Sequence, residues 1–227
     1  MRKRNVLAVA LAAVALVAGG VLFASNMGFK LNYQLTGPAG SGGSGSGNNI
    51  VALPYNQQTN LVNAFDLIGD INAAAPATNR VISISRYLRS TDTLLSYTGA
   101  AGTAFALVPG EGYRVQISGA PVSYIIVGSD NPSLPITLDA PGSNGSRSGT
   151  NEFAYPYHST AANAFDLIQE INAAAGSNVV VSISRFVKSN DSLSTYTGAA
   201  GTAFALVPGE SYRIVVTSTV TWIPSHF

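Results

Sequence analysis

The chain has 227 residues, of which 46% are apolar and only 10% are charged, and it contains no cysteine. So apolar a composition excludes an intrinsically disordered protein, while the 23 glycines and 11 prolines indicate many turns. The lack of cysteine excludes disulfides and thiolate metal sites.

The first 25 residues have the pattern of an export signal. Arg2, Lys3 and Arg4 precede an apolar run over residues 6–24, an arrangement typical of a signal peptide or, if it is retained, a signal anchor. We therefore expect an extracellular or cell-surface protein that contacts the membrane only through residues 5–25, if these are not cleaved. Removing the three basic residues leaves 9 of the 12 against 11 acidic residues, so we expect no nucleic-acid partner.

Two segments of the chain repeat one another closely. The fifteen residues YTGAAGTAFALVPGE at 97–111 recur at 196–210, and NAFDLI, INAAA and SISR each occur in both segments. Such self-similarity fixes the architecture as tandem copies of one module. The repeat predicts module 1 at residues 49–128 and module 2 at 151–227. Before them lie residues 26–48 and a connector at 129–150.

Each module begins with an extended segment that ends in Pro-Tyr, followed by one amphipathic helix around residues 65–75 and its repeat. Thr59 or Asn60 and, in module 2, Thr160 are the candidate N-caps. The helices are expected to end at Pro76 and Gly176. A period of two then predicts strands, which in module 1 cover 81–86, 94–98, 104–108, 113–117 and 122–127. The predicted fold class is α+β, mainly β: two small antiparallel modules, each with one short helix.

A further strand precedes each module. Met27, Phe29, Leu31, Tyr33 and Leu35 alternate with polar residues or glycine, a pattern typical of a half-buried strand. Residues 36–47, which follow, are nearly all Gly, Ser, Ala or Pro, as in a flexible tether. The sequence LPITL at 134–138 and a second Gly/Ser-rich stretch at 139–150 repeat this order. The repeating unit is therefore predicted to be strand, tether, module.

Several motifs resemble a family of exported bacterial surface proteins that has related modules in archaeal surface proteins. They are PYHSTAANAFDLI, SISRF, LVPGESYRI, the closing WIPSHF, the start MGFKLNY and the connector VGSDNPSLPITLDAPG. The resemblance covers nearly all of residues 27–227, with Asp130 where a histidine is expected. It implies an exported tandem-repeat module and no particular activity or substrate.

The spare strand at residues 27–35 suggests a filament. Module 1 is followed by LPITL, whereas nothing follows module 2, so we expect LPITL to complete module 1. The segment with Met27, Phe29, Leu31, Tyr33 and Leu35 would then complete module 2 of a neighbouring copy by strand addition. The favoured hypothesis is thus a non-enzymatic extracellular structural protein whose partner is another copy of itself. If the strand instead folds back onto its own molecule, the protein is a monomer.

The alternative is a monomeric secreted binding module or adhesin that recognises a surface polysaccharide or protein. Tyr155, Tyr157 and His158 form the most plausible exposed ligand patch. Arg86 and Glu111, repeated as Arg185 and Glu210, are expected to form a surface ion pair and not an acid–base pair. We expect no cofactor, no metal site and no enzymatic activity, because no nucleophile–base pair or ligand cluster is apparent.

Overall fold

The computed structural model describes residues 28–38, 45–57, 61–75, 80–129, 131 and 133–226. The predicted signal segment and Met27 lie outside these residues. The first half of the described chain contains seven strands and one helix: β1 (Gly28–Leu35), β2 (Asn48–Ala52), β3 (Asn56–Gln57), α1 (Ala64–Ala74), β4 (Val81–Leu88), β5 (Thr93–Tyr97), β6 (Gly112–Ile117) and β7 (Val122–Ser129).

The second half repeats this order with six strands and one helix. Its elements are β8 (Ile136–Leu138), β9 (Thr150–Ala154), α2 (Ala164–Ala175), β10 (Val180–Val187), β11 (Ser192–Tyr196), β12 (Ser211–Val216) and β13 (Val220–Trp222). The protein is therefore mainly β with two helices, in two similar modules, as the sequence predicts.

Each module contains a four-stranded antiparallel sheet and a smaller second sheet. The four-stranded sheets have the order β2-β6-β4-β5 in module 1 and β9-β12-β10-β11 in module 2. The second sheets have the orders β1-β7-β3 and β8-β13. A separate apolar core fills each module; one contains Leu67, Ile71 and Tyr113, and the other their repeats Leu167, Ile171 and Tyr212.

The two strands that precede the modules, β1 and β8, are called the leading strands, and each pairs with the module that follows it. The expectation that LPITL completes module 1 is therefore wrong, and β1 pairs with an edge of module 1 where an edge of module 2 was expected. Strand β1 pairs antiparallel with β7, Leu35 lying opposite Val122. Strand β8, which contains most of LPITL, pairs with β13 of module 2 and not with module 1. Because the last strand of each module lies beside its own leading strand, strand, tether and module form one structural unit, in the predicted order. The first unit is β1 with module 1, and the second unit is β8 with module 2. Each unit thus contains a pairing partner for its own leading strand.

The tethers are held at their ends by two buried asparagines. Asn49 Oδ1 accepts from the backbone N–H of Thr36, and its amide donates to the carbonyls of Thr36 and Gly47. Asn151 makes the same three bonds around the second tether. A buried amide group that satisfies the main chain at both ends of a loop fixes the position of the strand before it.

The helices begin at asparagines and not at the predicted N-cap residues. Asn63 and Asn163 are the N-caps, because each side chain accepts from the two following helical N–H groups, and Asp66 completes a capping box in α1. The prediction of Thr160 is wrong, and Thr59, Asn60 and Pro76 lie outside the described residues. Gly176 ends α2 with a φ of 67°, as predicted.

The segment 104–108 is not a strand. Its only ladder contact among the described residues is one bridge between Ala106 and Asn63, because the segment runs past the start of α1 instead of along the sheet. In each module a tyrosine, Tyr113 or Tyr212, closes the turn that follows this segment, at residues 108–111 or 207–210. Each hydroxyl accepts from a turn N–H and lies next to a glutamate of the same turn.

Candidate functional site at the junction of the modules

The two modules pack against each other through reciprocal contacts, which relate them by a pseudo-two-fold axis. The guanidinium of Arg114 lies 4.9 Å from the ring centre of Phe186, and its repeat Arg213 lies 4.4 Å from Tyr87. The N–H of Ala52 donates to Gly209 at 3.3 Å, and its repeat Ala154 donates to Gly110 at 2.7 Å. Contacts in which residue i of one unit meets j of the other, and the reverse, define an isologous interface.

The axis passes between Gly112 and its repeat Ser211. A Cβ atom built on Gly112 would overlap the side chain of Ser211. Only one of these two equivalent positions can therefore carry a side chain at this separation of the modules.

A partly buried charge cluster lies beside the axis. Glu152 of β9 accepts from Arg213 at 3.2 Å, and its repeat position in module 1 is Ile50. Burial raises the pKa of the Glu152 carboxyl, although Arg213 and Arg114 favour its charged form. Burial also lowers the pKa of the Arg114 guanidinium. The cluster therefore depends on one carboxylate that only one of the modules supplies.

The raised pKa of Glu152 predicts the pH dependence of a Glu152→Gln variant. A carboxyl with a raised pKa in the folded state stabilises the protein below its ordinary pKa of 4.5, and this contribution is lost as the pH rises through the raised value. The free energy of unfolding of wild type relative to Glu152→Gln should therefore fall as the pH rises above about 4.5. Urea titrations at several pH values measure it. If this difference instead rises with pH, the two arginines lower the pKa of Glu152 by more than burial raises it.

Two equivalent grooves flank the axis. Groove 1 has a volume of about 370 Å³ and lies between residues 86–89 and 109–112 of module 1 and residues 134–138 and 151–153 of the second unit. Groove 2 has about 490 Å³ and lies between residues 185–189 and 207–211 of module 2 and residues 31–35 and 49–50 of the first unit. Each groove is thus bordered on one side by a leading strand, β8 or β1, at the edge of a second sheet.

The cations of groove 1 are neutralised within the protein. Arg86 Nη2 donates to Glu111 at 2.9 Å, which confirms the predicted ion pair in this copy. Arg89 bonds to the carboxylate of Asp139, a residue of the second tether that is only 3% exposed. Since both arginines are paired, groove 1 presents no uncompensated charge to a ligand.

The cations of groove 2 have no carboxylate partner among the described residues. The guanidinium of Arg185 lies over the ring of Phe204 at 5.5 Å, and Glu210 instead accepts from Tyr212. The ammonium of Lys188 donates to the carbonyl of Gln34, at 3.4 Å. The position of Asp139 is occupied by Thr36 in the first unit, so the counter-charge of groove 1 has no equivalent here. The predicted ion pair between Arg185 and Glu210 is therefore not formed in module 2.

Two of the residues predicted to bind a neighbouring copy, Phe29 and Tyr33, contact the second module of the same chain. Phe29, Leu31 and Leu35 are buried as the alternation predicts. Phe29 stacks on Tyr157 with ring centres 4.3 Å apart. The hydroxyl of Tyr33 lies 2.7 Å from the carbonyl of Ala52 and 3.1 Å from that of Gly209, and burial raises its pKa. Strand β1 therefore connects the two modules.

The predicted aromatic patch is corrected in one residue. Tyr155 is only 5% exposed, because it occupies the core position of Leu53 in module 1, and its hydroxyl donates to Ala161. Tyr157 and His158 are half-buried, with their rings edge to face at 4.9 Å. Tyr155 is not available to a ligand, and Tyr157 packs against Phe29 instead of forming an open platform.

Within the described residues, no group of three or more His, Asp or Glu side chains could hold a metal ion. In the same part of the chain, neither helix has the length and hydropathy needed to span a membrane. Comparisons with protein-family models, curated proteins and solved structures find no match for this chain.

Proposed function

We propose that the chain is a non-enzymatic binding protein of the cell surface, exported by its N-terminal segment, which recognises an extracellular polymer through the grooves at the module junction. The observation that carries the proposal is the pair of equivalent grooves, each bordered by the edge of a leading strand. Concave sites at the junction of two domains are common positions for ligands. The half-buried Tyr157 and His158 are secondary candidates on the same body.

The proposal places binding in the grooves and not on the outer faces of the sheets. The outer faces carry exposed apolar side chains in equivalent pairs, such as Ile82 and Val181 or Leu94 and Leu193. These residues are scattered along separate strands. The grooves combine charged side chains, strand edges and apolar side chains in one concavity, which gives a ligand both orientation and buried area.

A groove-filling pair of variants tests the function. Leu88→Trp narrows groove 1, and the equivalent Val187→Trp narrows groove 2. The full chain is screened against arrays of neutral and anionic polysaccharides and a random peptide library. We expect a binding signal that at least one of the two variants abolishes.

The matched control is Val181→Trp, which enlarges a 46% exposed side chain on β10 outside both grooves and should bind as wild type does. Binding that is equal in all three variants, or no binding to any probe, would contradict the proposal.

Strand exchange between copies is the second candidate, in which β1 docks on β7 of another molecule and a surface filament results. It is favoured by the edge position of β1, because a terminal strand on a tether can make the same contacts between copies by domain swapping. The cis pairing needs no partner, so this candidate ranks second. The two arrangements differ in how unfolding depends on protein concentration.

A further inference from the structure

We propose that groove 2 binds an extended acidic peptide, which adds as a strand to the free edge of β1 and places its carboxylates on Arg185 and Lys188. The inference rests on the proposed binding function and names the ligand class of one of the two grooves. Three observations carry it. One edge of β1 is unpaired among the described residues, two cationic side chains have no carboxylate partner there, and the aromatic rings of the groove already pack against other side chains.

The strand edge supplies the main-chain groups. Strand β1 is the outer strand of its sheet and pairs only with β7 among the described residues. The carbonyl of Gln34 faces Lys188 of the groove wall. Since alternate residues of an antiparallel edge strand direct their N–H and C=O groups to the same side, those of Asn32 face the groove as well. Residues 31–35 extend along the groove over about 17 Å, the length of five peptide residues.

The edge also lacks the features that prevent strand addition. Edge strands are commonly protected by charged residues, proline or a bulge. The segment Leu31 to Leu35 contains neither a charged residue nor proline, and its register with β7 has no bulge. Lys30, the one charged residue of β1, lies outside the groove lining.

The charges favour an acidic partner, because Arg185 and Lys188 outnumber Glu210, the one carboxylate in the groove lining. Arg185 and Lys188 lie on the wall opposite β1, and neither has a carboxylate within 4.0 Å among the described residues. In groove 1, the equivalent residues Arg86 and Arg89 are already paired with Glu111 and Asp139. A carboxylate of a bound strand in groove 2 would take the place that Asp139 holds in groove 1.

The aromatic rings favour a peptide over a polysaccharide. Sugar binding typically needs an open ring face, but the ring of Phe186 is covered by Arg114. Tyr33 is half-buried and stacks near Tyr124, with ring centres 6.4 Å apart. A strand ladder uses main-chain groups instead of ring faces.

The test uses the full chain and three synthetic peptides, each acetylated and amidated. The first is a heptapeptide that alternates Asp with Val, the second has Asn in place of every Asp, and the third keeps Asp but carries N-methyl groups on alternate backbone nitrogens. Titration calorimetry measures affinity, and NMR chemical shifts locate the site. Polygalacturonate is titrated in parallel as an anionic polysaccharide without a peptide backbone.

We expect the first peptide to bind, with shifts confined to β1 and residues 185–189, and the second and third peptides to bind much more weakly. The Arg185→Gln/Lys188→Gln variant should lose about tenfold or more in affinity, because charge-assisted hydrogen bonds are lost. The control Lys30→Gln removes one cation from the same strand outside the groove and should change affinity by less than about twofold.

Equal affinity for the acidic and amide peptides, binding of the N-methylated peptide at full strength, or shifts away from groove 2 would overturn the inference. Binding of polygalacturonate but not of peptide, lost in the double variant, would overturn the ligand class and leave the proposed function standing. If no peptide binds, and Leu88→Trp blocks the binding of other probes, the inference is overturned and the binding site is groove 1.

Discussion

Replacing Leu35 by alanine is expected to lower the free energy of unfolding by about 2–5 kcal/mol. Leu35 is 1% exposed and belongs to the core of module 1, although it comes from the leading strand β1. Truncating it leaves a cavity between the two sheets of the module and removes buried apolar contacts. Urea unfolding followed by tyrosine and tryptophan fluorescence measures the change.

The exposed neighbour Asn32 provides the control, since Asn32→Ala on the same strand should change stability by less than about 0.5 kcal/mol. The concentration dependence of unfolding separates the two arrangements of β1. If the strand docks in its own molecule, the urea midpoint of wild type is the same at all protein concentrations. A midpoint that rises with concentration would show that β1 docks between copies.

Introducing a side chain at the pseudo-two-fold axis is expected to force the modules apart. Gly112→Ser should destabilise the protein by about 1–3 kcal/mol, because the new Cβ atom would overlap Ser211. Gly112 does not have a positive φ, so serine is acceptable to its backbone and the effect reports the module contact alone. Urea unfolding again provides the measurement.

The rescue variant is Gly112→Ser/Ser211→Gly, which exchanges the two residues across the axis. It should recover most of the lost stability, and the double-mutant cycle should give a coupling energy of about 1 kcal/mol or more. Additive effects of the two substitutions would mean that the residues do not meet and that the modules pack in another way.

Local patterns in the sequence predicted the local structure well. The alternation of Phe29, Leu31 and Leu35 identified β1 and its buried face, and the Ser-Arg segments identified β4 and β10. These predictions succeeded because side-chain periodicity depends only on neighbouring residues. The true N-cap was also visible, since Asn63 is followed three residues later by Asp66, but Thr59 and Asn60 were preferred.

The partners of the leading strands could not be predicted in the same way. An alternating strand fits any exposed sheet edge with an apolar face, so its sequence does not select β7 over an edge in another molecule. The geometry of the unit decides the pairing. Leu35 and Leu138 follow the same rule in the two units, since each lies opposite the first residue of the last strand.

The grooves were missed because their walls are far apart in the sequence. The useful signal was the set of positions at which two nearly identical copies differ. Ile50 corresponds to Glu152, Thr36 to Asp139 and Gly112 to Ser211, and all of these residues lie at or beside the junction of the modules. Tyr155 was misplaced for a related reason, since its equivalence to Leu53 would have identified it as a core residue.

The single carboxylate at the axis has a consequence for how such a chain can diversify. In a homodimer of one module, every residue near the axis occurs twice, so a glutamate at position 152 would bring a second glutamate with it. Covalent fusion of two copies removes this constraint, because each half can change alone. In this chain, the arginines of groove 1 are paired with carboxylates, whereas the equivalent cations of groove 2 have no carboxylate partner among the described residues.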